Sequence, residues 1–199
     1  MRTAKASTHP RITAVILAGG AGTRMNSSEK ALLQWRGRSF IEHLVDQLQL
    51  RCTSIALNTN SSPELFESFG LPLLRDPFLQ RRGPLAGILA ALNFSQTEFT
   101  LVVPCDSPLL PDNLADRLLQ GLIGSSAAIA YAHCAGDDHY LYALLRNGLC
   151  ESLSKFMRAD DVAVRRWYQA EGAVAVNFNA ERDHFFNINT SADLAQLPT

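Results

Sequence analysis

The chain has 199 residues, 47% apolar and 19% charged, and its 18 Lys and Arg against 19 Asp and Glu leave a formal net charge of −1. That composition suits a globular domain with a sizeable core and excludes a disordered chain. The charge balance argues against a general binder of nucleic acid or anionic membranes, and no apolar run approaches the roughly 20 residues of a membrane span.

The opening residues, MRTAKASTHPR, are polar, so 1–11 read as a flexible tail rather than a secretory signal, ahead of one domain over 12–199. The apolar run ITAVILA (Ile12–Ala18) predicts a buried strand. Gly19, Gly20 and Gly22 follow within four positions, and then Arg24 and Lys30. SFIEHLVDQLQL spaces Ile41, Leu44, Val45 and Leu48 as one face of a helix. SIALNT (Ser54–Thr59) and FTLVVPC (Phe99–Cys105) read as further buried strands. LAGILAALNF and NLADRLLQGLI read as helices. The later segments SAAIAYA, HYLYALL and GAVAVNF suggest strands. CESLSKFMRA and DVAVRRWYQA suggest helices, and TSADLAQL a last short helix capped by Thr190 or Ser191. Continuous apolar strands alternating with helices predict an α/β fold: one domain with a doubly wound, mostly parallel sheet. Cys52, Cys105, Cys134 and Cys150 are scattered without a C-x-x-C pair, which fits reduced thiols in a cytoplasmic protein.

In open α/β sheets ligands sit beyond the carboxyl ends of the strands, where the glycine loop falls. Bare backbone lets N–H groups close around an anion, and Arg24 and Lys30 add cationic donors, so a phosphate chain suits the loop. A tight turn with two solvated cations is the plainer reading. The loop is not a Walker A motif, because Thr23-Arg24 follows Gly22, nor a G-x-G-x-x-G fingerprint, because Met25 stands where glycine is needed.

Asp106 ends the run LVVPCD, where a carboxylate suits a hard cation such as Mg2+ or caps the turn that follows. Asp76, before Pro77, reads alone as an Asp-Pro turn. Asn58 is a lone amide on an apolar strand and needs partners if buried. Gly83-Pro84-Leu85-Ala86-Gly87 reads as a helix start with Pro84 near its first position. HCAGDDH (His133–His139) fits no zinc template and reads as a polar loop. Asn187 and Asn189 alternate about Ile188, so both fall on one side of an extended segment. The Trp167–Tyr168 pair beside Arg165 and Arg166 reads as packing with a solvated face.

LAGGAGTRMNSSEKALL resembles the L-A-G-G-x-x-x-R-M-G-x-x-x-K signature of the molybdenum cofactor guanylyltransferase family. LNTN, LLRDPF with RRGPLAGILAAL, VVPCDSPLLPDNL and FFNINTSADL resemble its further segments in order, over roughly residues 12 to 197. Asn26 stands where the signature has glycine, Glu29 stands where an aspartate often precedes the lysine, and the expected proline after His139 is missing. The resemblance implies a Rossmann-like nucleotidyltransferase fold and transfer of GMP from GTP to the terminal phosphate of the molybdopterin cofactor, with release of pyrophosphate. It implies nucleotide contacts from Leu17, Ala18, Gly19, Gly20, Lys30, Asn58, Asp76 and Asp106, catalytic roles for Lys30, Arg24 and Asp106, and Mg2+ on Asp106. His139 would line the pterin side, and Asn187 and Asn189 would contact ligand. A molybdoenzyme or its chaperone would receive the product; no nucleic-acid or membrane partner is expected. A CTP-using molybdopterin cytidylyltransferase, a sugar-phosphate nucleotidyltransferase and a non-catalytic nucleotide-binding protein are the alternatives.

Overall fold

A computed structural model of the chain describes residues 10–19, 30–77, 83–159, 162–188 and 191–197. The tail expected over 1–11 lies almost wholly outside them, as do Gly20, Arg24, Asn26, Glu29, Asn189 and Thr190.

The strands are β1 (Ile12–Leu17), β2 (Gln34–Trp35), β3 (Arg38–Ser39), β4 (Ser54–Asn58), β5 (Leu73–Leu74), β6 (Phe99–Pro104), β7 (Ile129–Cys134), β8 (Asp137–Arg146) and β9 (Val174–Asn177). The helices are α1 (Phe40–Leu48), α2 (Pro84–Phe94), α3 (Leu114–Ile123), α4 (Cys150–Arg158), α5 (Val164–Ala170) and α6 (Ser191–Leu194). Seven strands form one sheet in the order β5-β4-β1-β6-β8-β7-β9, and β2 and β3 pair separately. Along the main sheet β8 alone runs against its neighbours. The expected doubly wound, mostly parallel α/β sheet is what the chain forms.

β1 and β6 are buried along their whole lengths, as continuous apolar runs require when both faces of a sheet are covered. On one face α1 and α3 pack through Ile41, Leu44, Leu48, Leu118 and Leu122. On the other, α2, α4 and α5 pack through Leu85, Ile88, Leu153, Met157, Trp167 and Tyr168. The start of α1 is fixed by a capping box: Ser39 Oγ accepts from Glu42 N, and Ser39 N donates to Glu42 Oε2 at 2.7 Å. α2 is buried from Leu85 to Leu92, so it is apolar all round rather than amphipathic.

β1 pairs with β4 on one side and β6 on the other, so the chain reverses direction across the sheet at β1. That switch point leaves a crevice beyond the ends of β1, β4 and β6. Farther along, HCAGDDH is not a loop. Its residues belong to the β7–β8 hairpin, with Ala135 (φ 54°) and Gly136 (φ 93°) as a two-residue turn of positive φ at both positions. His133 Nδ1 lies 2.8 Å from Asp138 Oδ1, and Tyr140 donates to Asp138 Oδ2 at 2.7 Å. No group of three or more metal-ligating side chains occurs among the described residues. Trp167 and Tyr168 are fully buried, while Arg165 and Arg166 are exposed.

Candidate nucleotide-binding site

The crevice is a cavity of about 120 Å3, lined by Leu17 and Gly19 after β1, Asn58 at the end of β4, and Pro104, Cys105 and Asp106 after β6. Asp76, Lys30, Leu141 and the start of α2 (Gly83, Pro84, Gly87) close it. Six of the nucleotide contacts expected from the sequence, Leu17, Gly19, Lys30, Asn58, Asp76 and Asp106, therefore line one cavity. Ala18 does not line the cavity; its N–H donates to Asn58 O at 2.8 Å and ties β1 to β4. Asn187 is exposed and outside the lining, although the next residue is tied to the site, Ile188 N donating to Asp106 O at 2.8 Å. Gly20, Arg24 and Asn189 fall outside the described residues.

Asn58 is buried to 1% exposure, and two glycines make that possible. A Cβ on Gly19 would lie 2.9 Å from Asn58 Oδ1, and a Cβ on Gly87 only 2.5 Å from it and 3.1 Å from Leu17 Cδ2. Asn58 Nδ2 donates to Leu74 O at 3.3 Å and to Asp76 Oδ1 at 3.0 Å. Asn60 donates to the other carboxylate oxygen, Asp76 Oδ2, at 2.7 Å, and accepts from Asp76 N at 3.1 Å. Asn60 was not picked out in the sequence. Its signal was the two-residue step from Asn58, which on extended backbone returns to the same face.

Asp106 is mostly buried and its Oδ1 has no hydrogen-bond partner among the described residues. Burial pushes its carboxyl above the ordinary value, and the Lys30 ammonium pulls the other way. A desolvated, unpaired carboxylate oxygen facing anion-binding groups fits one bond to a hard cation whose other ligands come from phosphate and water. Burial and the Asp106 charge push the thiol of Cys105, beside it, up to about 12, which disfavours its thiolate.

A second cavity, of about 390 Å3, lies along β8 and is lined by Cys134, Asp137, His139, Arg182, Asp183, Phe185 and Phe186, among others. His139 stacks on Phe185 with ring centroids 4.7 Å apart and meets Tyr142 edge-on at 6.1 Å. Burial lowers the His139 pKa. His139 thus lines this second cavity and not the one that holds Asp106.

Residues 14–176 match the family model described as MobA-like NTP transferase domain. A molybdenum cofactor guanylyltransferase of Mannheimia succiniciproducens is 39% identical over 183 residues, covering 92% of this chain and 96% of the relative. One of Pasteurella multocida is 36% identical, covering 92% and 96%. The chain belongs to the molybdenum cofactor guanylyltransferase family. The molybdopterin-guanine dinucleotide biosynthesis protein A of Archaeoglobus fulgidus superposes with a TM-score of 0.75 at 20% identity, over 94% of this chain and 96% of that one. A CMP:2-keto-3-deoxy-manno-octonic acid synthetase superposes with a TM-score of 0.68 at 12% identity, over 94% and 95%. Those likenesses show a fold shared by members of this family and by cytidylyltransferases.

Proposed function

We infer that the chain transfers GMP from GTP to the terminal phosphate of the molybdopterin cofactor and releases pyrophosphate. The observation that carries this reading is the convergence of Lys30, Asn58, Asp76 and Asp106 on one cavity at the switch point, in a chain 39% identical to a molybdenum cofactor guanylyltransferase. An oxygen of the acceptor phosphate attacks the α-phosphorus of GTP. The bond from that phosphorus to the bridging oxygen breaks, and its electron pair leaves with pyrophosphate. The nucleophile is already an anion, so the protein needs no general base; it has to hold two anions together in line. Lys30 offsets charge on the triphosphate and the leaving pyrophosphate, and Arg24 joins it in this reading. Leu17 and Gly19 present backbone to the nucleotide, with Asn58 and Asp76 on its nucleoside side; Ala18 acts by tying β1 to β4, and Gly20 belongs to the site by resemblance alone.

Asp106 would hold Mg2+, and its orphaned Oδ1 supports that assignment. Such an ion, when bound, neutralises phosphate oxygens and relieves repulsion between the two substrates. The aromatic and charged cavity around His139 and Phe185 is assigned to the pterin side of the acceptor; ligand contacts of Asn187 and Asn189 belong to this reading by resemblance alone. No helix among the described residues is long and apolar enough to cross a membrane. The cytoplasmic reading rests on the scattered Cys52, Cys105, Cys134 and Cys150, which form no C-x-x-C pair. A molybdoenzyme or its chaperone would take the product.

Pyrophosphate release measured with GTP, CTP and ATP, with and without molybdopterin, tests the reading. GTP alone should support release, and only with acceptor. Equal turnover with CTP would make the chain a cytidylyltransferase, and release without acceptor would make it a hydrolase.

A further inference from the structure

We propose that Asn60 is a positioning residue that sets the Asp76 carboxylate as a two-pronged acceptor for an adjacent pair of donors on the nucleoside; this rests on reading the cavity as the GTP site. Asp76 lines the cavity and Asn60 does not. Both ends of the Asn60 amide are engaged with Asp76: Nδ2 donates to Oδ2 at 2.7 Å, and Oδ1 accepts from the Asp76 N–H at 3.1 Å. Asn58 holds the other oxygen at 3.0 Å. The carboxylate is therefore gripped by one amide on each oxygen, and its rotation is blocked. Arg75 steadies the same stretch, donating to Asn60 O and Ser61 O at 3.4 Å each.

A carboxylate has about four acceptor positions. The two amides use one on each oxygen, which leaves one on each oxygen for a ligand. Two parallel acceptors take two neighbouring donors. On a nucleoside, such pairs are the N1–H and 2-amino group of guanine and the 2′- and 3′-hydroxyls of ribose. The Watson–Crick edges of adenine and cytosine put a donor beside an acceptor, which would set a base lone pair against a carboxylate oxygen. An exposed asparagine with a purely structural role has no reason to spend both ends on a residue that faces the ligand.

The test is a double-mutant cycle read by calorimetric GTP affinity on the full chain. N60A should weaken GTP binding about 10-fold, and N60D more, since it sets a second carboxylate against Asp76 Oδ2. Turnover at saturating GTP should stay within about twofold. In a D76N background N60A should have almost no further effect. Inosine triphosphate, which lacks the 2-amino group, and 2′,3′-dideoxy-GTP distinguish the two donor pairs: the penalty of N60A should shrink for whichever analogue lacks the donors that Asp76 meets. A full 10-fold loss from N60A in the D76N background, equal losses with all three nucleotides, or unchanged GTP affinity in folded N60A would each overturn the proposal. Tighter binding of CTP than GTP by the wild type would instead overturn the guanylyl reading, and the same cycle with CTP would then decide the role of Asn60 separately.

Discussion

The two halves of the sheet are built by different rules. In the half β5-β4-β1-β6 all strands are parallel, so their carboxyl ends gather at one rim, and the polar residues of the first cavity sit there. In the half β8-β7-β9 a hairpin inserts a reversed strand, and the second cavity is built from the side chains of β8 against the segment that follows β9. The first half confines chemistry to strand ends, which suits recognition of phosphate by backbone and a few charges. The second offers aromatic faces, which suits a flat heterocycle. If the halves divide the two substrates in this way, changes in one should alter GTP handling and changes in the other acceptor handling.

The sharpest way to break that division is Asp106→Asn. Activity should fall by about 100-fold or more at ordinary Mg2+ and recover in part as Mg2+ is raised, as followed by pyrophosphate release. The free protein should gain stability. The fold holds Asp106 above its ordinary 3.8, so its protonated form is favoured on folding and stability is lost as pH rises through the raised value. The mutant escapes that loss, so its melting midpoint should exceed the wild type's at pH 7, with the gap closing toward pH 4. Equal activity-versus-Mg2+ curves would move the metal elsewhere.

Lys30→Ala should cost about 10- to 100-fold in turnover, a larger effect than its loss of denaturant stability. Turnover that survives intact would remove Lys30 from the site. Next in size is Gly87→Ala. An exposed helix position would gain up to about 1 kcal/mol from that change. Here the new Cβ drives into Asn58 Oδ1, so GTP affinity should fall about 10-fold.

His139→Ala should raise the KM for molybdopterin about fivefold and leave the GTP dissociation constant alone; an equal effect on both would join the two cavities into one functional site. The smallest effect expected on chemistry is that of Gly121→Ala. A Cβ there would lie 2.5 Å from Val176 Cγ2, where α3 crosses β9. About 1–2 kcal/mol of stability should be lost with turnover unchanged.

The same two halves were unequally legible in the sequence. β1, β4 and β6 announce themselves as unbroken apolar runs, and each was placed to within a residue of its observed end. Asp106 and Asn58 stood out as polar residues closing such runs. The hairpin was hidden because its turn is Ala135-Gly136 rather than Asn-Gly or Asp-Gly, so HCAGDDH read as a polar loop. β7 starts at Ile129, three residues into its expected segment, and α5 at Val164, three residues into its own, since the alanines around them mark neither period. The two-residue strands β2, β3 and β5 are too short to carry a pattern. Asn60 escaped because an exposed amide beside a strand looks like any loop residue until its partners are known.

The place of β1 in the sheet also governs how the chain emerges during synthesis. β1 can pair with β4 early, Thr13 with Ser54, but its other edge waits for Phe99 to Pro104. Until then a strand apolar but for Thr13 presents an open row of N–H and C=O groups, a template for strands of other nascent chains. A truncation ending before Phe99 should therefore aggregate, whereas one ending after Arg146 would already have covered that edge with β6 and β8.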